Sequence, residues 1–196
     1  MGKIIYLIGA SGSGKDSILS GLRQWLNTEW SLSTDIMIAH RYICRDWQSG
    51  NENHIELSKG EFLHRQQIGL FALHWQANGL YYGIGREIDL WLAEGQNVIV
   101  NGSREYLPMA MSLYGKNLVP LLIDVDETIL RQRLINRGRE SMADIEARLA
   151  RTRDSLTTNN IMLNKCHIIH NNAQINDAVQ QLVSYINSLS QSKNVS

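Results

Sequence analysis

The chain has 196 residues, of which 43% are hydrophobic, so it can form one α/β domain with its own core but not two large domains. Its 19 Lys and Arg residues balance its 19 Asp and Glu residues, so no overall charge attracts nucleic acid or anionic lipid. The two cysteines, Cys44 and Cys166, lack the spacing of a disulfide framework or a zinc site and fit a reducing cytoplasm. We therefore expect a cytoplasmic protein that binds neither nucleic acid nor membrane, and the composition leaves a homodimer open.

Short apolar runs alternate with segments of helical periodicity, which is typical of a parallel sheet flanked by crossover helices. The pattern predicts strands at residues 3–8, 36–39, 97–100, 118–125 and 167–170. It predicts helices at residues 16–26, 87–94, 126–136, 141–154 and 175–189, and another that begins at Ser103, is kinked at Pro108 and ends at Gly115. The expected fold is a single α/β domain over residues 1–196.

Residues 40–85, here called the inserted lobe, break this rhythm. Ser58 followed by Glu61 has the spacing of a capping box, which marks a helix start. The pair Asn78-Gly79 between two apolar runs predicts a tight hairpin turn. We expect a small mixed lobe between the second and third core strands.

A glycine-rich segment at residues 9–15, here called the phosphate loop, follows the first strand and opens the first helix. This is the context of the G-x-x-x-x-G-K motif, whose backbone N–H groups surround phosphate oxygens and whose lysine reaches the β and γ phosphates. The alternative is a flexible glycine turn without a ligand. The predicted ATP-binding residues are Gly9, Ala10, Ser11, Gly12, Ser13, Gly14, Lys15, Asp16 and Ser17.

Asp16 stands where such motifs usually carry a serine or threonine, with Ser17 next to it. A carboxylate is an acceptable ligand for Mg²⁺, but it repels the triphosphate when the metal is absent. We therefore predict that Asp16 binds Mg²⁺ and that activity depends steeply on the metal. The alternative is that Asp16 only stabilises the helix N-terminus through its charge.

Seven arginines lie between Arg131 and Arg153, here called the lid segment (residues 131–153). Such a run is either a solvated helical surface or a mobile cover over a polyphosphate, and the helix break at Gly138 favours the cover. We predict that Arg137 and Arg148, together with Lys15, carry catalysis. We also expect Asn171 and Asn172, after the last strand, to contact adenine.

Further anion-binding side chains lie in the inserted lobe and after the third core strand. They are Arg41, Arg45, Tyr81, Tyr82 and Arg104. Ligands of open α/β sheets bind at the carboxyl ends of the strands, which is where these residues are expected. This set is the candidate site for a phosphorylated acceptor.

Together, the phosphate loop, residues 40–45, Tyr81-Tyr82-Gly83 and residues 131–151 of the lid segment resemble the guanylate-kinase-like branch of nucleoside monophosphate kinases, which are P-loop NTPases. The resemblance implies that Arg45 and Tyr82 hold the acceptor phosphate. It also implies that the glutamate and the two aspartates near the guanine are replaced by Leu73, Asn101 and Ser103. Since a buried guanine N–H without a partner costs about 1–3 kcal/mol, these replacements argue against GMP.

A closer resemblance is to the ribose 1,5-bisphosphate phosphokinases of phosphonate catabolism, over residues 2–172. It is carried by GASGSGKDS, AHRYICRD, NENHIELS, ALHWQANGLYYGIG, EIDLW, VIVNGSRE, LRQRLINRGRE and ARLAR. The resemblance implies small-molecule substrates, namely ATP and ribose 1,5-bisphosphate, whose 1-phosphate is phosphorylated to give 5-phosphoribosyl 1-diphosphate. The implied acceptor-binding residues are Arg41, Arg45, Tyr82, Asn101, Ser103 and Arg104.

Three alternatives remain at the level of sequence. The chain could be a nucleoside monophosphate kinase, or a non-catalytic guanylate-kinase-like binding module, although the intact phosphate loop disfavours the module. It could also be a kinase with a hydroxyl acceptor, which needs a carboxylate base. Asp124 and Asp126 are candidates for that base by residue type alone.

Overall fold

A computed structural model describes residues 1–29, 35–49, 52–138, 140–158 and 164–191. In chain order its strands and helices are β1 (Ile4–Gly9), α1 (Lys15–Glu29), β2 (Ile36–Ile38), β3 (Arg41–Ile43), β4 (His54–Glu56), α2 (Lys59–Gln67), β5 (Phe71–Ala77), β6 (Leu80–Gly85), α3 (Glu87–Ala93), β7 (Asn97–Asn101), α4 (Leu107–Tyr114), β8 (Leu118–Asp124), α5 (Glu127–Arg137), α6 (Met142–Thr158), β9 (His167–His170) and α7 (Ile175–Gln191). A short 3-10 helix, Gly115–Asn117, follows α4. In the part of the chain that the structure describes, no helix is long and apolar enough to cross a membrane.

The chain divides into two compact units, one with residues 1–8 and 30–120 and the other with residues 9–29 and 121–196. Five strands belong to the predicted parallel sheet, in the order β2-β7-β1 in the first unit and β8-β9 in the second. The α/β prediction is therefore confirmed. The single domain over residues 1–196 stays a prediction.

In the first unit, the strands of the parallel sheet lie in the core. Residues 4–8 of β1 are all fully buried, which explains why this strand is a continuous apolar run rather than an alternating one. The neighbouring β7 is buried along its whole length and pairs with β1 from Ile4–Val98 to Leu7–Asn101. This places the end of β7, and the residues that follow it, beside the end of β1.

The inserted lobe has a mixed sheet of its own, with strand order β4-β3-β6-β5. The Ser58 hydroxyl accepts a hydrogen bond from the Glu61 N–H at 3.1 Å, as the capping box predicts, and α2 follows. Asn78 and Gly79 both have positive φ, 50° and 74°, which is the backbone of the predicted tight turn between β5 and β6. Residues 41–85 thus form a mixed sheet with one helix, and their role as a separate inserted lobe stays a prediction.

In its described residues, the second unit combines α1, the paired strands β8 and β9, and the helices α5, α6 and α7. Helices α5 and α6 pack through an apolar cluster that also contacts Ala10 of the phosphate loop; the buried members are Leu130, Leu134, Ile145 and Leu149. Gly138 ends α5 in the left-handed conformation, with φ 62°, as the sequence predicts. Ser141 and Asp144 exchange hydrogen bonds at the start of α6, which also agrees with the sequence.

The predicted start and kink of one helix are wrong. The helix expected from Ser103 begins at Leu107, and Pro108 lies in its first turn, where proline fits without a kink. Asp126 is the N-cap residue of α5, as the predicted start at residue 126 implies, although its side chain makes no capping hydrogen bond.

Candidate active site

The phosphate loop of the second unit has the backbone that its glycines predict. Gly12 and Gly14 have φ of 96° and 91°, a region that side chains with a Cβ rarely adopt. The Lys15 ammonium donates to the carbonyls of Gly9 and Ala10 at 2.8 and 3.0 Å, so it lies over the loop. The loop runs into the N-terminus of α1, whose backbone dipole favours an anion.

Asn171 holds this loop from the end of β9. Its side-chain amide donates to the Ser13 carbonyl at 2.8 Å, and its own N–H donates to the Asp124 carbonyl at 2.9 Å. Asn171 and Ser13 are each about 1% exposed. A Cβ on Gly14 would lie 2.4 Å from the Asn171 amide nitrogen, so glycine is needed here for space as well as for its φ. Asn171 thus ties the phosphate loop to the ends of β8 and β9.

A pocket of about 500 Å³ opens beside the phosphate loop. It is lined by Gly12, Gly14, Ser17, Arg133, Arg137 and Asn171, among others. Burial and the neighbouring Arg137 guanidinium both lower the pKa of Arg133. In the described part of the chain neither guanidinium forms an ion pair with a carboxylate. Two adjacent arginines of α5 line the pocket beside the N-terminus of α1, and this arrangement suits a polyanion.

The other arginines of the lid segment have different surroundings. Arg148 divides its fork between the Ser11 hydroxyl of the phosphate loop, at 2.8 Å, and the Glu140 carboxylate, at 2.9 Å. Arg131 pairs with Glu146 and Arg153 with Glu127, which ties α5 to α6 across their exposed sides. The lid segment therefore brings Arg137 and Arg148 to the phosphate loop, whereas Arg131 and Arg153 act within the helix pair. Arg139 lies outside the described residues.

Asp16 and Ser17 occupy the first turn of α1, directly after Lys15. The Asp16 side chain is partly exposed, and Ser17 lines the pocket beside the loop. Among the residues that the structure describes, no group of three His, Cys, Asp or Glu side chains is arranged to hold a metal. A carboxylate and a hydroxyl at this position fit an Mg²⁺ ion that takes most of its ligands from nucleotide phosphates and water.

Arg41 and Arg45, the arginines predicted to bind the acceptor, meet at one carboxylate in the first unit. Arg41 forms a two-pronged ion pair with both Glu52 oxygens, and Arg45 lies 3.6 Å from one of them, Oε2. His54, which is buried, hydrogen-bonds the Arg45 carbonyl at 3.1 Å and contacts its guanidinium at 3.4 Å. Since two guanidiniums share one carboxylate, the cluster keeps a positive charge that suits a phosphate.

Tyr82 lies beside these arginines in an aromatic stack. The Arg41 guanidinium lies 5.2 Å from the centre of the Tyr82 ring. The Trp75 ring stacks on both the Tyr82 ring and the Tyr106 ring, with 5.6 Å between ring centres in each pair. Cation–π contact and stacking hold Tyr82 in one orientation. The structure thus brings together Arg41, Arg45 and Tyr82, three of the predicted acceptor residues.

The remaining predicted acceptor residues, Asn101, Ser103 and Arg104, belong to residues 101–104, here called the acceptor loop. The backbone of this loop is bound to β1: the Gly102 N–H donates to the Leu7 carbonyl at 2.8 Å, and the Ser103 N–H donates to the Tyr6 hydroxyl at 3.0 Å. Asn101 is 2% exposed at the end of β7. These hydrogen bonds fix the conformation of the acceptor loop directly after β7.

Sequence reasoning missed several residues of these two regions: Tyr6, Glu52, His54 and Trp75 in the first unit and Arg133 in the second. Arg133 could have been found, because it lies one helical turn before Arg137 on α5. No local pattern marks Glu52 or Tyr6, because their partners are 11 and 97 residues away.

Comparison with known proteins identifies the family. No protein-family model matches the chain. The ribose 1,5-bisphosphate phosphokinase PhnN of Enterobacter lignolyticus is 49% identical over 163 residues, which cover 83% of this chain and 83% of that protein. The protein of the same name from Psychromonas ingrahamii is 46% identical over 187 residues, or 94% of this chain and 90% of that one. The crystal structure of guanylate kinase from Anaplasma phagocytophilum matches with a TM-score of 0.69, over 95% of this chain and 85% of that one, at 14% identity, which establishes a shared fold. The chain therefore has a guanylate-kinase-like fold and belongs to the ribose 1,5-bisphosphate phosphokinase PhnN family of kinases.

Proposed function

We propose that this chain transfers the γ-phosphoryl group of ATP to the 1-phosphate of ribose 1,5-bisphosphate, giving 5-phospho-α-D-ribose 1-diphosphate and ADP. The observation that carries the proposal is the 46–49% identity, over most of the chain, to relatives that bear the name of this activity. The two anion-binding regions described above are consistent with it, since the reaction joins two polyanionic substrates.

In the second unit, the phosphate loop and the pocket beside it are the proposed ATP site. Lys15 would leave the carbonyls of Gly9 and Ala10 to contact the β and γ phosphates. Arg137, which has no carboxylate partner in the described part of the chain, and Arg148, which already contacts Ser11, would bind phosphoryl oxygens during transfer. Asn171, which lines the same pocket, is the proposed adenine contact, whereas the Asn172 amide oxygen accepts from the Asp126 N–H at 2.9 Å.

Mg²⁺ would be held by Asp16 and Ser17 together with phosphate oxygens, and when bound it neutralises part of the triphosphate charge. The described residues offer one carboxylate next to Lys15, so the protein on its own is a weak site for the ion. The metal is therefore expected to arrive with the nucleotide. The alternative, that Asp16 only stabilises the helix N-terminus, predicts the same metal dependence for Asp16→Ala as for the unaltered protein.

In the first unit, the cluster of Arg41, Arg45 and Tyr82 is the proposed site for one phosphate of the sugar, and the acceptor loop is the proposed site for the rest of it. The positive charge left on the cluster after pairing with Glu52 supports this assignment. Stacked Trp75 and Tyr106 hold the phenol of Tyr82 in place. The guanidinium forks suit phosphate oxygens because their donors are planar and fixed.

The chemistry requires no general base. A phosphate monoester has its second pKa near about 6, so its oxygen is already anionic at neutral pH and can attack the γ phosphorus directly. The protein's part is to hold both substrates, exclude water and offset their mutual repulsion. Of the two aspartates considered as bases for a hydroxyl-acceptor kinase, Asp124 lies 3.4 Å from His170, and Asp126 is the N-cap residue of α5.

A nucleoside monophosphate as acceptor is less well supported. Leu73, at the position where the resemblance places the guanine-reading glutamate, is fully buried in β5 and pairs in register with Ile84. A leucine offers no acceptor for the N–H groups of a base. Leu73 is therefore part of the lobe's packing, and guanine would lose hydrogen bonds there.

The proposal is tested by supplying MgATP with ribose 1,5-bisphosphate, GMP, AMP or UMP and measuring ADP release. We expect ribose 1,5-bisphosphate to be used at least ~100-fold more efficiently than any nucleotide, because each unpaired buried donor costs about 1–3 kcal/mol. The product should show a new diphosphate linked to ribose C1 in the ³¹P NMR spectrum. Faster turnover of GMP, or ADP release without an acceptor product, would contradict the proposal. The cytoplasmic location and a homodimer stay predictions.

A further inference from the structure

Tyr6 is a polar residue in an apolar strand. It lies in the middle of β1, where its neighbours Ile4, Ile5, Leu7 and Ile8 are fully buried, and it is fully buried as well. An aliphatic side chain at this position would bury no polar group, whereas a buried hydroxyl without a hydrogen-bond partner destabilises the fold. The hydroxyl therefore needs a partner, and its position indicates what it is for.

The partner is the backbone of the acceptor loop. The Tyr6 hydroxyl accepts a hydrogen bond from the Ser103 N–H at 3.0 Å and donates to the Ser103 carbonyl at 3.2 Å, so it satisfies both polar groups of one peptide residue. Burial raises the pKa of Tyr6 strongly, which keeps the phenol protonated and able to donate. Ser103 is thereby fixed by a residue 97 positions away, with no helix or strand to hold it.

The ring of Tyr6 also shapes the loop. A Cβ built on Gly102 would lie 2.1 Å from the Tyr6 ring carbon that bears the hydroxyl, so the glycine backbone rests directly against the ring. The Gly102 N–H bonds to Leu7, the next residue of the same strand. Tyr6 and Leu7 together fix two consecutive residues of the acceptor loop against β1.

We propose that Tyr6 is a positioning residue for the sugar phosphate acceptor: its hydroxyl sets the conformation of the acceptor loop after β7 and so the places of Ser103 and Arg104. Tyr6 cannot touch the substrate itself, because it is fully buried. The inference rests on the proposed function for the identity of the acceptor. The part of the inference that concerns the conformation of the loop is independent of the proposed function.

The test compares Tyr6→Phe with Tyr114→Phe. Phenylalanine keeps the ring that fills the core and removes the two hydrogen bonds to Ser103. Tyr114 is the matched control, because its hydroxyl donates to Asp89 at 2.7 Å in the same unit, outside the acceptor loop and the arginine cluster. We expect Tyr6→Phe to raise the KM for ribose 1,5-bisphosphate about tenfold, the size expected from losing a buried hydrogen bond, with the KM for ATP within about twofold. Tyr114→Phe should leave both KM values within about twofold.

A second measurement keeps the two proposals apart. Hydrogen exchange of the Ser103 amide should accelerate in Tyr6→Phe but not in Tyr114→Phe, whether or not the protein acts on ribose 1,5-bisphosphate. If the unaltered protein does not phosphorylate that sugar while Ser103 exchange accelerates, the proposed function fails and the role of Tyr6 in holding the loop stands. An unchanged acceptor KM in an active Tyr6→Phe protein would overturn the positioning role, as would a loss of acceptor and ATP binding in equal measure. If Tyr6→Phe does not fold, Gly102→Ala, which forces the ring and loop apart, is measured in its place with the same expected results.

Discussion

The two anion-binding regions of this chain manage positive charge in different ways. In the second unit, Arg133 and Arg137 line a pocket beside the phosphate loop without a carboxylate partner in the part of the chain that is described. In the first unit, Arg41 and Arg45 share Glu52, and the side chains of Arg41 and Glu52 are 14% and 10% exposed. Arg133 and Arg137 of the second unit thus keep their full positive charge, whereas Glu52 neutralises one of the two arginine charges in the first unit.

The difference matches the substrates proposed for the two regions. A triphosphate can offset several cations at once and brings Mg²⁺ with it, so Arg133 and Arg137 need no carboxylate partner there, although Arg148 pairs with Glu140. A single phosphate group of the sugar carries less charge than a triphosphate and must also be oriented, so a carboxylate that fixes the guanidinium forks serves both needs. The comparison predicts that the proposed ATP site (the phosphate loop and its pocket, here the ATP region) depends on individual cations. The proposed acceptor site (Arg41, Arg45, Tyr82 and the acceptor loop, here the acceptor region) should depend on how its cations are held.

The largest expected effect is that of Lys15→Ala. Removing the Lys15 ammonium, which is proposed to reach the β and γ phosphates, should lower kcat about 10³-fold, since loss of a single transition-state donor commonly costs 10²–10³-fold. The effect is measured by steady-state kinetics with saturating MgATP. Lys116→Ala, at an exposed position in the 3-10 helix of the first unit, is the control and should be unchanged. Normal turnover by Lys15→Ala would mean that the phosphate loop is not the ATP site, and the comparison of the two regions would then fail.

Arg137→Ala should have the next largest effect. The loss of a guanidinium from the pocket should weaken binding of MgATP and lower kcat/KM by about 10–100-fold, as for a charged hydrogen bond worth about 1.5–3 kcal/mol. Arg153→Ala is the matched control, because Arg153 pairs with Glu127 on the exposed side of the same helix pair and should matter little. Equal losses in the two variants would mean that the arginines act by holding α5 against α6.

Glu52→Gln tests the acceptor region. Two guanidiniums would lose their shared carboxylate, and removing one partner of a largely buried pair should lower the free energy of unfolding by about 1–3 kcal/mol. We also expect the acceptor KM to rise about tenfold, because the positions of Arg41 and Arg45 are no longer fixed.

Glu61→Gln is the matched control for Glu52→Gln, since Glu61 pairs with Arg65 along the exposed side of α2. It should change stability by less than about 0.5 kcal/mol. Urea unfolding and acceptor kinetics are measured on both variants. A lower acceptor KM in Glu52→Gln would show that the carboxylate competes with phosphate for the arginines rather than holding them.

Asn171→Ala should have the smallest effect of the four. It removes the hydrogen bond to the buried Ser13 carbonyl, so the KM for ATP should rise about fivefold to tenfold while the acceptor KM stays unchanged. Gln181→Ala is the control, because its amide makes two hydrogen bonds to the backbone of His170, one residue before Asn171. If both variants raise the KM for ATP equally, the end of β9 matters as a whole and Asn171 has no particular role in the phosphate loop.

Much of the fold and of the ATP region could be predicted from the sequence. The phosphate loop is a contiguous motif in a fixed context, and the end of α5 at Gly138 follows from a local backbone preference. The acceptor region was predicted as a set of residue types, and the structure brings Arg41, Arg45 and Tyr82 together. The predicted start of α4 at Ser103 was wrong: the helix begins at Leu107, and the Ser103 carbonyl, like its N–H, bonds to the Tyr6 hydroxyl.

The sequence by itself determined the order of strands and helices, the phosphate loop and the family resemblance, because each of these depends on neighbouring residues or on residues one helical turn apart. Only the tertiary structure decided that Glu52 joins the two acceptor arginines, that Asn171 supports the phosphate loop and that Tyr6 holds Ser103. The physical reason is that buried polar groups must find partners, and where the chain returns to supply them depends on the packing of whole strands rather than on any local pattern.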